Sequence, residues 1–159
     1  MKFLNNYYKK TTKMKFLAQA ALLTFISDVI NICYINLYFL PEKITNQYIF
    51  NMYSIMGVNP NQFHPTYIDE LRQVMINSMA LVFCGFLAYH CIVYFMLSKD
   101  KKWARKYVFG YAVSGAILTV IELPVLIQES VGWALAMLFT TIVYVFGFMG
   151  LRYYKRAKA

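Results

Sequence analysis

The sequence predicts an all-α integral membrane protein, a four-transmembrane-helix bundle that forms a single membrane domain over residues 1–159. Hydrophobic residues make up 60% of the chain and charged residues 14%, whereas soluble domains have roughly 45–50% and about 25%. Four apolar stretches are each long enough to cross about 30 Å of hydrocarbon as a helix. Lys and Arg, 16 in all, cluster beside these stretches. Together these observations predict four spans.

The first span is predicted over residues 16–40, and Pro41 is expected to end it. Four polar side chains within it share one helical face, because they recur at helical spacing: Thr24, Asp28, Asn31 and Tyr38. A carboxylate near the centre of an isolated span costs about 2.5–3.5 kcal/mol. We therefore expect Asp28 to face other helices rather than lipid.

Residues 41–73 are predicted to form an outer, non-cytoplasmic loop, since acidic residues outnumber basic ones there. A short amphipathic helix on the outer surface is indicated by apolar residues at helical spacing: Ile44, Tyr48, Met52 and Ile55. Thr66 followed by Asp69 has the spacing of a capping box. The second transmembrane helix is thus expected to begin ahead of the membrane.

The remaining spans are predicted at about 74–97, 107–127 and 133–151. A basic turn with Trp103 joins the second span, which carries His90, to the third, which carries Glu122 and Pro124. Fourteen of the 16 Lys and Arg residues lie on the side of the two termini. This positive-inside pattern predicts that both termini are cytoplasmic.

The candidate site consists of the intramembrane ionisable residues Asp28, His90 and Glu122. Counting about 1.5 Å per residue places the two carboxylates at similar depth and His90 closer to the cytoplasm. We expect a polar pathway that binds a proton or a cation. Its lining would be completed by Asn31, Thr119, Thr140 and Tyr144. The alternative interpretation is that these groups only hydrogen-bond to neighbouring helices and fix their packing.

Several classes of protein are disfavoured. The sequence has no HExxH, GxSxG, Walker or GxGxxG motif and no redox cysteine pair, so an enzyme is the less favoured class and no cofactor is expected. Cys33, Cys84 and Cys91 are expected to pack in apolar runs. His64 with nearby acidic residues lacks a recognised ligand spacing, so no metal site is expected. The basic clusters flank the spans, which argues against nucleic acid as a partner.

The leading hypothesis is an oligomeric channel or transporter for an ion or small cationic solute, with Asp28 and Glu122 as binding or protonation sites and His90 as a relay or gate. A homo-oligomer is expected because four short helices enclose little space. One alternative is a non-catalytic accessory subunit that meets a membrane-protein partner through the outer loop 41–73. Another is a lipid- or sterol-pocket isomerase with Glu122 as acid or base. The charge bias fits a bacterial inner (plasma) membrane.

The layout resembles the sterol-isomerase-like, sigma-2-receptor family (EXPERA proteins). The shared features are four spans with cytoplasmic ends, an outer loop that opens with Leu40-Pro41-Glu42, and a basic inner turn with Lys102-Trp103. The resemblance implies that intramembrane carboxylates hold an amine or stabilise a sterol carbocation. This sequence departs from the family pattern because its second span has no carboxylate and its acid lies in the third span.

Overall fold

The computed structural model describes residues 2–59 and 62–156, and within these ranges all regular structure is helical. The elements are α1 (Lys2–Lys10), α2 (Lys13–Tyr34), a π-helical segment (Ile35–Phe39), α3 (Leu40–Lys43), α4 (Asn46–Ile55), α5 (Pro65–Ser98), α6 (Lys102–Glu129) and α7 (Val131–Arg156). Four stretches are long and apolar enough to cross a membrane: Lys13–Lys43, Pro65–Ser98, Lys102–Glu129 and Val131–Lys155. The predictions of an all-α chain and of four helices long and apolar enough to span a membrane are confirmed.

The second long helix begins well ahead of its predicted span, as expected, and its 34 residues give a length of about 51 Å at 1.5 Å per residue. The capping box at its start is wrong, however. The helix begins at Pro65, so Thr66 lies inside it, and the Thr66 hydroxyl contacts His64 Nδ1 at 2.9 Å. Asp69 accepts a hydrogen bond from Asn46 at 2.7 Å. The early start therefore does not depend on the predicted pair.

The chain divides into two compact units, one formed by Met1–Asn31 with Leu87–Ala159 and the other by Ile32–Phe86. In the second unit, α4 packs on the start of α5 around buried Ile49 and Ile68. Arg72 donates to the carbonyl oxygens of Ile44, at 2.6 Å, and Pro41, at 2.9 Å. These bonds satisfy backbone groups where the chain leaves the first span.

A helix forms in the segment predicted to be amphipathic, and one of its faces packs on α5. Ile49 is fully buried, whereas Tyr48 and Ile55 are exposed. The reason is that α4 contacts α5 and uses the face that carries Ile49. Thr45 caps the helix by accepting a hydrogen bond from the Tyr48 amide at 3.2 Å. Tyr48 and Ile55, on the face predicted to be apolar, therefore lie away from the contact with α5.

The first unit contains an aromatic cluster near the chain termini, where Phe16 is fully buried. The Phe16 ring lies 5.2 Å from that of Tyr154 and 5.5 Å from that of Phe146, between centroids. Tyr8 donates to the Phe146 carbonyl at 2.9 Å. Burial, with smaller contributions from neighbouring tyrosines, raises the pKa of Tyr8 to about 12. Its hydroxyl therefore keeps its proton, and this contribution to stability is lost only as the pH rises from about 10 towards that value.

Gly150 is required for this cluster, which gives a first prediction. A Cβ atom at Gly150 would lie 2.2 Å from the Phe16 ring, and that ring cannot move away because other rings enclose it. We expect Gly150→Ala to lower the free energy of unfolding in detergent by about 1–3 kcal/mol through overpacking.

The matched control is Gly110→Ala, because a Cβ atom there meets nothing within 4 Å. Alanine is the better helix former, so this variant is expected to be as stable as the wild type or slightly more stable. Equal losses in the two variants would show that close approach at Gly150 is not the cause.

A three-residue turn, 99–101, joins α5 to α6. Asp100 occupies the left-handed region, with φ of 59°, which Asp tolerates better than most residues. Its carboxylate accepts a hydrogen bond from Lys13 and lies 3.1 Å from Arg105 Nε. The Arg105 contact is an ion pair that is not aligned as a hydrogen bond. The turn connects α5 to α6, and Lys13 at the start of α2 is paired to it.

Candidate functional site

Asp28 lies on α2 in the first unit, and only 3% of its surface is exposed. Four side chains contact its carboxylate. Tyr94 Oη at 2.5 Å and His90 Nδ1 at 2.6 Å meet Oδ2. Tyr111 Oη at 2.8 Å and Tyr144 Oη at 3.1 Å meet Oδ1. Each carboxylate oxygen thus has two partners, which is the full capacity of an ionised carboxylate.

The partners come from all three other long helices. His90 and Tyr94 are four residues apart on α5 and therefore share a face, Tyr111 lies on α6, and Tyr144 lies on α7. The rings also pack edge to face, with centroid distances of 4.5 Å between His90 and Tyr111 and 5.7 Å between Tyr111 and Tyr144. One buried carboxylate consequently joins α2 to the three other long helices, and the partners that it bonds are aromatic side chains.

His90 connects this carboxylate to a second hydroxyl group. Its other ring nitrogen, Nε2, lies 2.9 Å from the hydroxyl of Tyr107. An ionised carboxylate can only accept, so we assign the proton on Nδ1 to the bond with Asp28, and Nε2 of the neutral ring then accepts from Tyr107. Tyr107 is half-buried and lies in the second turn of α6, close to the basic turn. A continuous chain of hydrogen bonds thus runs from Asp28 through His90 to Tyr107.

A further contact extends the chain in the other direction. Asn31 Nδ2 donates to the Tyr144 hydroxyl at 2.7 Å, and that hydroxyl donates to Asp28. Asn31, Tyr144, Asp28 and His90, all expected from the sequence to take part in the site, therefore form one connected group. Counting residues placed His90 closer to the cytoplasm than Asp28. Their polar atoms nevertheless meet, at 2.6 Å.

The other three predicted residues lie outside this group. Thr119 donates to the Gly115 carbonyl at 2.9 Å and accepts from Thr141 at 2.7 Å. Thr140 is buried and donates to the Met137 carbonyl at 2.9 Å. Thr119 and Thr140 thus satisfy backbone carbonyl groups of their own helices. The bond between Thr119 and Thr141 joins α6 to α7.

Glu122 is exposed. It forms no hydrogen bond or ion pair with any residue in the described part of the chain. The structure therefore does not join the two carboxylates on which the expected pathway depended, and it places the polar group around Asp28 alone.

Sequence reasoning missed Tyr94, Tyr107 and Tyr111 as members of the site. The signal was present, because Tyr94 follows His90 by four residues and Tyr111 follows Tyr107 by four, so each pair shares a helical face. Tyr107 opens the predicted third span, a position that is typical of an interfacial anchor. Tyr38 lies in the π-helical segment, where the spacing of an ideal α-helix does not apply.

Over residues 2–59 and 62–156, no three His, Cys, Asp or Glu side chains are grouped so that they could hold a metal ion. Comparison with protein-family models, curated proteins and solved structures finds no match to the chain. The likeness to the sterol-isomerase-like family stays a resemblance of layout. Functional inference for this protein therefore starts from the chemistry around Asp28.

Proposed function

We propose that this protein is a small transport protein that takes up and releases a proton within the membrane, at His90 beside Asp28. The observation that supports this proposal is the position of His90, which lies between the buried carboxylate and the half-buried hydroxyl of Tyr107. Histidine is the side chain whose ordinary pKa lies closest to neutral pH. Placed in this way, its ring can exchange a proton with the Tyr107 side while it stays bonded to Asp28.

The proton transfer proceeds through the existing hydrogen bonds. With His90 neutral, Nδ1 donates to Asp28 and Nε2 accepts from Tyr107. A proton delivered along the Tyr107 hydroxyl to Nε2 produces an imidazolium ion, which pairs with the Asp28 carboxylate. Loss of that proton restores the first state. The site thus holds one extra proton, and Asp28 supplies the negative charge that makes a cation acceptable inside a membrane.

Transport also needs release on the opposite side, and the candidate group for it is the Tyr144 hydroxyl, which is bonded to Asp28 Oδ1 at 3.1 Å. The Asn31 amide donates to that hydroxyl and orients it, but it does not carry a proton. A relay of this kind needs no wide pore. It is therefore compatible with four helices, and several copies would only be required for a larger solute. Glu122 has no part in this relay because it is exposed and has no bond to the group.

A second candidate function follows from the complete saturation of Asp28. A carboxylate with four partners on three other helices fixes helix packing strongly, as an accessory subunit of a membrane complex would need. In that case the same residues would stabilise the bundle and carry no proton.

Proton flux into proteoliposomes distinguishes the two candidates. We expect wild-type protein to acidify vesicles that contain a pH-sensitive dye when an inward proton gradient is imposed, and Asp28→Asn to reduce the rate about 100-fold or more. Asparagine keeps the size of the side chain and removes the charge that an imidazolium needs.

Glu122→Gln is the matched control, because it removes the other intramembrane carboxylate and should leave the flux unchanged. Equal loss in both variants would favour the paired-carboxylate pathway expected from the sequence. An absence of flux in well-folded wild-type protein would reject the proton function and leave the packing role.

A further inference from the structure

Two buried oxygen atoms beside Asp28 have no hydrogen-bond partner among the described residues: Ser27 Oγ and Asn31 Oδ1. Ser27 is fully buried, with 0% of its surface exposed. Buried polar atoms are almost always paired, and leaving one unpaired costs free energy. These two oxygen atoms therefore require an explanation.

The two atoms belong to the face of α2 that packs on α7. Ser27 and Asn31 are four residues apart, so they share a face. Asn31 reaches Tyr144 on α7 at 2.7 Å. Thr24 lies one turn away on the same face. A Cβ atom added at Gly147 of α7 would lie 4.0 Å from the Thr24 hydroxyl oxygen and within 4 Å of no other atom outside its own helix. A Cβ atom at Gly147 would thus be in ordinary van der Waals contact with Thr24, which places Gly147 of α7 opposite this face.

The chemistry of the two atoms restricts what can bind. Asn31 Oδ1 is an acceptor only, and the Ser27 hydroxyl oxygen carries two lone pairs. Neutral, hard oxygen atoms of this kind coordinate alkali and alkaline-earth cations. The local charge then decides whether the bound cation is monovalent or divalent. Asp28 carries one negative charge, and a single positive charge is enough to balance it. Among the described residues, no three His, Cys, Asp or Glu side chains are grouped so that they could hold a metal ion.

We propose that Ser27 and Asn31 bind a small monovalent metal cation, with Na⁺ as the ion to test, and that this cation and the proton on His90 exclude each other. Each supplies the one positive charge that Asp28 balances, and two positive charges in this low-dielectric site would repel each other strongly. The inference rests on the proton function proposed above and names the exchanged ion. In the exchange, one Na⁺ enters as one H⁺ leaves His90, so charge is conserved without another reactant.

Proton release from purified protein tests this proposal. Protein in detergent, in a weakly buffered solution with a pH indicator, is mixed with NaCl or with choline chloride at the same ionic strength. We expect NaCl, added to protein that has first been brought to a pH at which His90 holds its extra proton, to release up to about one proton per chain, and choline chloride to release none. Na⁺ should also raise the thermal midpoint of the wild type, since a ligand stabilises the folded state that binds it.

Ser27→Ala should abolish both responses. This variant is expected to fold, because it removes a hydroxyl group that has no hydrogen bond in the described structure. Ser114→Ala is the matched control: Ser114 is exposed on α6 and bonds only to its own helix, at the carbonyls of Gly110 and Tyr111. It should keep the full response to Na⁺.

Equal responses to NaCl and choline chloride would overturn the proposal, and so would Na⁺-driven proton release that persists in Ser27→Ala. A stabilising effect of Na⁺ without proton release would overturn the mutual exclusion. The proton function and the cation site can be tested separately. Proton flux that needs Asp28 but ignores Na⁺ would leave the proton function standing and reject the cation site.

Discussion

Replacing Asp28 by alanine is expected to lower the free energy of unfolding in detergent by about 3–5 kcal/mol, the range for breaking a buried charged pair from one side. The substitution leaves His90, Tyr94, Tyr111 and Tyr144 without their shared acceptor in a dry environment. Each abandoned donor costs about 1–3 kcal/mol in a buried site. Individual interhelical bonds in membranes contribute less, about 0.6 kcal/mol on average, so the loss is expected to depend on all four bonds together.

Asp28→Asn is the informative comparison for stability. Its amide oxygen still accepts from some of the four side chains, so we expect a loss well below that of the alanine variant. Unfolding in mixed micelles, followed by circular dichroism, measures both. A value for Asp28→Ala within about 0.5 kcal/mol of the wild type, the range of ordinary surface substitutions, would show that the group around Asp28 does not hold the helices together.

Replacing His90 by glutamine is expected to reduce proton flux about 100-fold or more, the range of a lost acid–base group, while the protein stays folded. Glutamine offers both a donor for Asp28 and an acceptor for Tyr107, so much of the bonding can be retained. It has no protonation equilibrium near neutral pH, so the relay is interrupted at one atom. The part of the pH dependence of the flux that comes from the imidazole ring should disappear with it.

His64→Gln is the matched control, since His64 is the other of the two histidines. It lies just ahead of α5, is exposed, and contacts Thr66. This variant should show the wild-type rate and pH profile. Wild-type flux in His90→Gln, measured in the same vesicles, would mean that the proton does not pass through the imidazole ring.

Much of the fold could be predicted from the sequence, because a membrane restricts it to few solutions. Apolar length and the clustering of Lys and Arg indicated four spans, and the cost of a carboxylate in lipid indicated that Asp28 would be buried. Helical spacing also placed Asn31 on the same face as Asp28. These inferences depend on local properties of the chain, and the structure agrees with them.

The composition of the site depended on which helix faces meet, and no local pattern specifies that. The same cost argument applied to Glu122 as to Asp28, yet Glu122 is exposed. Tyr107 opens the predicted third span, as an interfacial anchor does, and only the contact of α5 with α6 identifies it as a partner of His90. Ser27 gave no signal at all, because a serine in a span ordinarily bonds to its own backbone.

The order of the Asp28 partners along the chain has a consequence for biogenesis. All four lie far downstream, at 90, 94, 111 and 144, so during synthesis the first span is complete long before any of them exists. The nascent helix must carry an unpaired carboxylate, at a cost of about 2.5–3.5 kcal/mol in lipid. His90 and Tyr107, in contrast, can form their hydrogen bond as soon as α5 and α6 have been synthesised and associate. We therefore expect α5 and α6 to associate first and then to bind the first span, which is already in the membrane. The carboxylate gains its last partner when α7 packs against them.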